Sequence, residues 1–161
     1  MKLREVFVAA GCCLVLTSSA ICAEYTKLYT QWKGSGLPLD VYNGGSTNNF
    51  LHLSPDGNYT GQNWSATSHG AWTKFTTQFR GGNMCLDIVN GGAMNNFAAL
   101  APCGNFTGQN WRIQGEGDWL RLTTEFRGSQ MCLDIVNDGQ HDGMAHLAPC
   151  GNFSGQLWKF N

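Results

Sequence analysis

Apolar and polar positions along the chain alternate in short runs, and nowhere do they follow the spacing of a helix face. Leu86 and Ile88 flank Asp87, and Leu133 and Ile135 flank Asp134. This period of two belongs to a strand with one buried face. Val89-Asn90-Gly91-Gly92 then ends the strand in a turn, because Asn and Gly tolerate positive φ. Leu100 and Leu147 sit in short apolar runs, each stopped by a proline, Pro102 or Pro149, as expected where a strand loses its ladder. Trp111 and its equivalents open the next strand. No amphipathic helical stretch of useful length interrupts the series, so the chain reads as all-β.

The strand pattern recurs. Asp40, Asp87 and Asp134 are separated by a step of 47 residues, as are Asn43, Asn90 and Asn137. The same step relates Gln62, Gln109 and Gln156, and also Trp64, Trp111 and Trp158. A turn element returns as GNYTGQNW, GNFTGQNW and GNFSGQLW. The copies run over about 25–72, 73–119 and 120–161. One such unit cannot bury its own apolar face, so the copies must share a core. A propeller typically needs four or more blades. Three copies of about four short strands fit a closed, pseudo-three-fold barrel, with the strand near Tyr25 meeting the one at Trp158.

The first 23 residues read as a signal peptide ahead of one domain at 24–161. Lys2 and Arg4 give the positive start, and Val6 to Leu16 is apolar but too short to span a bilayer. Cleavage after Ala23 predicts a secreted, extracellular or periplasmic chain. Cleavage after Ala20, an uncleaved anchor and a lipid at Cys12 are the alternatives. Of seven cysteines, Cys12, Cys13 and Cys22 lie in the leader, which leaves Cys85, Cys103, Cys132 and Cys150. An even set in an exported chain suggests disulfides. Cys85 matches Cys132 and Cys103 matches Cys150, while the first copy has Pro38 and Asp56 instead. Loss of both members together predicts Cys85–Cys103 and Cys132–Cys150. Each bond would contribute about 3 kcal/mol in the chain-entropy account.

Composition narrows the partners. The net charge is −1, charged residues make up 13% of the chain, and no basic run exists. Nucleic acid and anionic membrane surfaces are therefore poor candidates for partners, and no transmembrane segment is expected after processing. His141-Asp142 with His146 matches no metal motif. No metal, cofactor or catalytic residue is expected. The copied aspartates indicate a repeated binding unit rather than two differentiated catalytic roles.

Gln-x-Trp near the end of each copy, with Cys-Leu-Asp and a later Cys in the two full copies, resembles the ricin-type lectin family over residues 25–161. The resemblance implies a β-trefoil with up to three shallow sugar sites, each centred on the aspartate two residues after the first cysteine. It nominates Asp87 and Gln109 in the second copy, the one expected to bind best, and the residues beside them add Asn90, Asn96 and Phe97. The first copy offers Asp40, Asn43, Asn49, His52 and Gln62, and the third Asp134, Asn137, His146 and Gln156. The glutamine amide is expected to orient the aspartate. The tryptophans are expected in the core; a turn-capping role for the aspartates, a turn-holding role for Asn43, Asn90 and Asn137, and a core role for Phe50 and Phe97 are the alternatives. Two positions depart from the family. Ser54, Ala101 and Ala148 replace the aromatic before the third-strand proline, so stacking is expected from Phe50 or Phe97. Gly61, Gly108 and Gly155 replace the polar residue before the glutamine. The implied function is a carbohydrate-binding module with glycans as partners. The alternatives are a cell-binding subunit served by a separate toxin or enzyme chain, and a protein-binding or inhibitory trefoil.

Overall fold

The computed structural model describes residues 24–115 and 117–161; the expected signal peptide lies outside them. Twelve short strands follow one another. They are β1 (Leu28–Thr30), β2 (Leu39–Val41), β3 (Leu51–Leu53) and β4 (Trp64–His69), then β5 (Trp72–Thr77), β6 (Gly81–Ile88), β7 (Ala98–Pro102) and β8 (Trp111–Gln114). The last four are β9 (Arg121–Thr124), β10 (Gly128–Ile135), β11 (Ala145–Pro149) and β12 (Trp158–Phe160).

Six of these strands close a barrel. β4 pairs β5, β8 pairs β9, and β1 pairs β12 with Leu28 opposite Phe160. The remaining contacts around the ring are Thr26 with Trp64, Thr73 with Trp111 and Leu120 with Trp158, all related by the repeat step. The hairpins β2–β3, β6–β7 and β10–β11 cap one end. They hold each other in a pinwheel through Leu100 N–H to Asn49 O, Leu147 N–H to Asn96 O and Leu53 N–H to Gly143 O, at 2.8–2.9 Å. This is the β-trefoil that the three copies require.

The core repeats in the same way. Leu28, Phe75 and Leu122 are fully buried equivalents, as are Leu39, Leu86 and Leu133. Trp64, Trp111 and Trp158 are buried beside them. Their indole N–H groups donate to Leu39 O, Leu86 O and Leu133 O at 2.9, 2.9 and 2.8 Å. A buried indole needs such a partner. These bonds also fix the strand residue immediately before each repeated aspartate.

The disulfides are Cys85–Cys103 and Cys132–Cys150, the pairing that joint loss in the first copy predicts. In that copy an ion pair between Lys27 and Asp56 stands at the same corner, and Lys27 Nζ also donates to Gly57 O at 2.9 Å. The equivalents Lys74 and Arg121 reach Gly104 O and Gly151 O.

Candidate functional site

Each repeated aspartate has both carboxylate oxygens anchored from behind. Oδ1 accepts the next residue's backbone N–H at 2.7 Å, from Val41, Ile88 and Ile135. Oδ2 accepts Nε2 of Gln62, Gln109 or Gln156 at 3.1, 2.9 and 2.9 Å. The glutamines are 0% exposed. Their second amide hydrogen goes to Pro55 O, Pro102 O and Pro149 O, and Oε1 accepts the N–H of Gly57, Gly104 and Gly151. Both amide hydrogens are thereby used, and Oε1 accepts one bond. The buried glutamines hold the carboxylates in place, the orienting part expected of the amide. Each carboxylate oxygen keeps a further acceptor direction.

The glycine before each glutamine has a steric cause. A Cβ at Gly61, Gly108 or Gly155 would fall under 3.0 Å from Oδ1 of Asp40, Asp87 or Asp134. The polar side chain is absent there because the carboxylate occupies its space.

Three equivalent cavities open over these aspartates. The first, about 390 Å³, is lined by Asp40, Asn43, Tyr59, Gly61 and Phe79 among others. The second, about 220 Å³, has Asp87, Asn90, Phe106, Gly108 and Phe126. The third, about 290 Å³, has Asp134, Asn137, Phe153, Gly155 and Trp32. Two aromatic rings therefore flank each carboxylate. Tyr59, Phe106 and Phe153 are 59%, 59% and 60% exposed. Each ring lies against Gly57, Gly104 or Gly151, where a Cβ would fall under 3.0 Å from a ring carbon. The opposite ring comes from the next repeat. Phe79 N–H donates to Thr60 O, Phe126 to Thr107 O and Trp32 to Ser154 O, at 3.1–3.2 Å. The third cavity thus borrows its wall from the first repeat. A cation covers each of these rings: Arg80 at 4.1 Å, Arg127 at 4.0 Å and Lys33 at 3.8 Å from the ring centroid. Sequence reasoning missed all six aromatics. The signal was the aromatic kept in every copy of the polar turn Gly-Asn-(Tyr/Phe)-(Thr/Ser)-Gly-Gln.

Asn43, Asn90 and Asn137 stand at the cavity rims. Asn49, Asn96, Phe50 and Phe97 do not line these cavities. Asn49 and Asn96 adopt φ of 69°, and their third equivalent is Gly143 with φ of 80°. They make the left-handed turn whose carbonyls knit the cap. Phe50 bridges Ala99 and Phe97 bridges His146 at that cap. Asn49, Asn96 and Phe97 thus stand at the cap, apart from the residues that line the aspartate cavities. His52 and His146 stand directly across the hairpins from Asp40 and Asp134, while Ala99 faces Asp87. They border the carboxylates without lining the cavities. Burial pushes both imidazoles below their ordinary pKa, against the pull of Asp40 on His52 and of Asp134 on His146.

Among the described residues no three His, Cys, Asp or Glu side chains gather as a metal site, and no helix is long and apolar enough to cross a membrane. A family model described as the ricin-type β-trefoil lectin domain matches residues 24–158. A comparison with curated proteins finds no match. Among solved structures, the designed three-fold symmetric protein ThreeFoil aligns with a TM-score of 0.70 and 21% identity, covering 85% of this chain and 97% of that one. The Haemophilus ducreyi cytolethal distending toxin gives 0.64 and 14%, covering 94% and 91%. The hemolytic lectin CEL-III gives 0.63 and 22%, covering 84% of this chain but 29% of that one. At these identities the likeness concerns the fold alone.

Proposed function

The chain belongs to the ricin-type β-trefoil lectin family, and from that premise we propose that it is an exported carbohydrate-binding module with three sites, centred on Asp40, Asp87 and Asp134. One observation carries the reading. In each cavity a carboxylate fixed from behind lies between two aromatic rings, one of them well exposed. A pyranose has hydroxyls along its edge and an apolar C–H face. The carboxylate takes two adjacent hydroxyls through charge-assisted bonds, and the exposed ring takes the apolar face. Asn43, Asn90 and Asn137 add a donor and an acceptor at each rim. Three weak sites on one rigid body gain avidity on a multivalent glycan.

Catalysis does not suit these cavities. Glycoside hydrolysis generally uses two carboxyl groups, about 5–10 Å apart, on either side of the scissile bond. Each cavity lining has one carboxylate, and the three copies share one environment. The direct test is a glycan array probed with the exported chain, followed by competition with the free sugar of the best hit. Saturable binding that the free sugar competes supports the reading; an array without a competable signal contradicts it.

A second reading is a cell-binding subunit of a multiprotein toxin, a setting in which a chain of this fold occurs in the distending toxin. It needs a separate enzymatic chain. Co-purification of such a chain from the native source distinguishes it from a lectin acting alone.

A further inference from the structure

We propose a fourth binding site, on the pseudo-three-fold axis at the capped end, that takes the ammonium group and apolar stem of an alkylamine. A cavity of about 400 Å³ opens there, lined by Tyr42, Thr47, Met94, His141, Asp142 and Met144 among others. Thr47, Met94 and His141 are one repeat step apart. Equivalent positions of three repeats can border one cavity only around the axis that relates them. Their backbones are alike: the carbonyls of Thr47, Met94 and His141 accept the N–H of Phe50, Phe97 and Met144 at 2.9, 3.0 and 3.0 Å. One turn is built three times and given three different side chains. The aspartate cavities instead keep the same residue types. A ligand on the axis therefore meets one distinct lining and binds in one orientation.

The lining specifies a cation. Asp142 is the one carboxylate among the cavity residues. Asn48 and Asn95, its equivalents, accept Arg80 and Arg127 at 2.8 and 2.9 Å. Lys33, the equivalent of those arginines, lies over Trp32. Among the described residues no basic group pairs with Asp142. Its Oδ1 accepts Asp138 N–H at 2.8 Å, which leaves Oδ2 for a ligand. The ring of Tyr42 is covered on one face by His52, parallel at 3.6 Å, so its other face can meet an ammonium group. Met94 and Met144 supply adaptable thioethers for an apolar stem. An anionic ligand would be repelled, and an alcohol would leave the carboxylate without its countercharge.

The repeats supply substitutions that the turn already tolerates. Asp142→Asn installs the residue found at 48 and 95, and Met94→Thr the residue found at 47. The experiment follows the methionine methyl resonances of the full chain on titration with hexylammonium, hexan-1-ol and Nα-acetyl-lysine amide. Hexylammonium should shift the Met94 and Met144 methyls saturably and bind about tenfold more tightly than hexanol. Asp142→Asn should erase that preference, and Met94→Thr should weaken the ammonium ligand. If the lysine amide also binds, the source of the ligand is a lysine side chain of a partner polypeptide; if only the free amine binds, it is a small molecule. Absence of shifts, equal binding of amine and alcohol, or a preference that survives Asp142→Asn overturns the proposal. Glycan binding does not enter the readout, so the outcome is independent of the aspartate sites.

Discussion

Two glycines in each repeat decide where the functional groups can stand. Gly108 leaves room for the carboxylate of Asp87, and Gly104 for the ring of Phe106. Gly108→Ala should displace the carboxylate and weaken glycan binding as Asp87→Ala does. Loss of a charged acceptor costs about 1.5–3 kcal/mol, or roughly tenfold or more in affinity, which calorimetry on the folded variants would register. Phe106→Ala removes a ring that is 59% exposed. Binding should weaken while the melting temperature barely moves; a large loss of stability would show that the ring is structural. His52 and His146 carry a pH dependence. Burial holds both below the ordinary value of 6.5, so the unfolded chain binds the more protons below that pH. Their contribution to stability is present above about pH 6.5 and lost as pH falls through the folded-state values. Denaturant titrations should show stability declining on acidification, with a shallower slope in His52→Ala and His146→Ala; Ala99 already fills that position in the second repeat. At this scale the aspartates, the rim asparagines and the supporting glutamines were legible in the sequence, because repetition marks them. The aromatic walls were not, since Tyr59, Phe106 and Phe153 sit in a polar turn and their partners arrive from another repeat. Asn96 has a second, structural reason to be asparagine: its residue type tolerates the positive φ found there.

At the scale of elements, hairpins and their clamps explain why two copies need a disulfide and one does not. The second and third repeats join the ends of a hairpin with sulfur, whereas the first uses Lys27 and Asp56. The pair is partly exposed, with side-chain exposures of 29% and 50%, and exposed pairs contribute about 0–1 kcal/mol. Lys27→Ala should therefore change stability little. Replacing Cys85 and Cys103 together by alanine should cost about 3 kcal/mol in denaturant unfolding and leave a folded protein, because the first repeat folds around Pro38 without a bridge. Trp111→Ala is a different matter. It empties a buried site and orphans Leu86 O, so it should cost about 3–5 kcal/mol. The strand pattern and the cysteine pairing could be read from the chain, because both depend on local periodicity. The 3-10 form of the turns at Thr60–Gln62, Thr107–Gln109 and Ser154–Gln156 could not, nor could the close approach of each middle glycine to an aspartate about 20 residues earlier in the chain.

For the whole molecule, barrel closure and function are one problem. β1 against β12 brings Trp32 to the third cavity, so the first and last repeats share a site. Three aspartate-lined cavities are then arranged around one axis. The most direct test of the central claim, that the aspartates are the sugar-binding groups, is calorimetry of the best array ligand against Asp40→Ala, Asp87→Ala, Asp134→Ala and the triple variant, each checked for native near-ultraviolet circular dichroism. The account predicts that each single change removes one cavity's contribution and that the folded triple variant binds no glycan. A folded triple variant that binds with wild-type affinity and stoichiometry would contradict it, and the aspartates would then serve the turns alone.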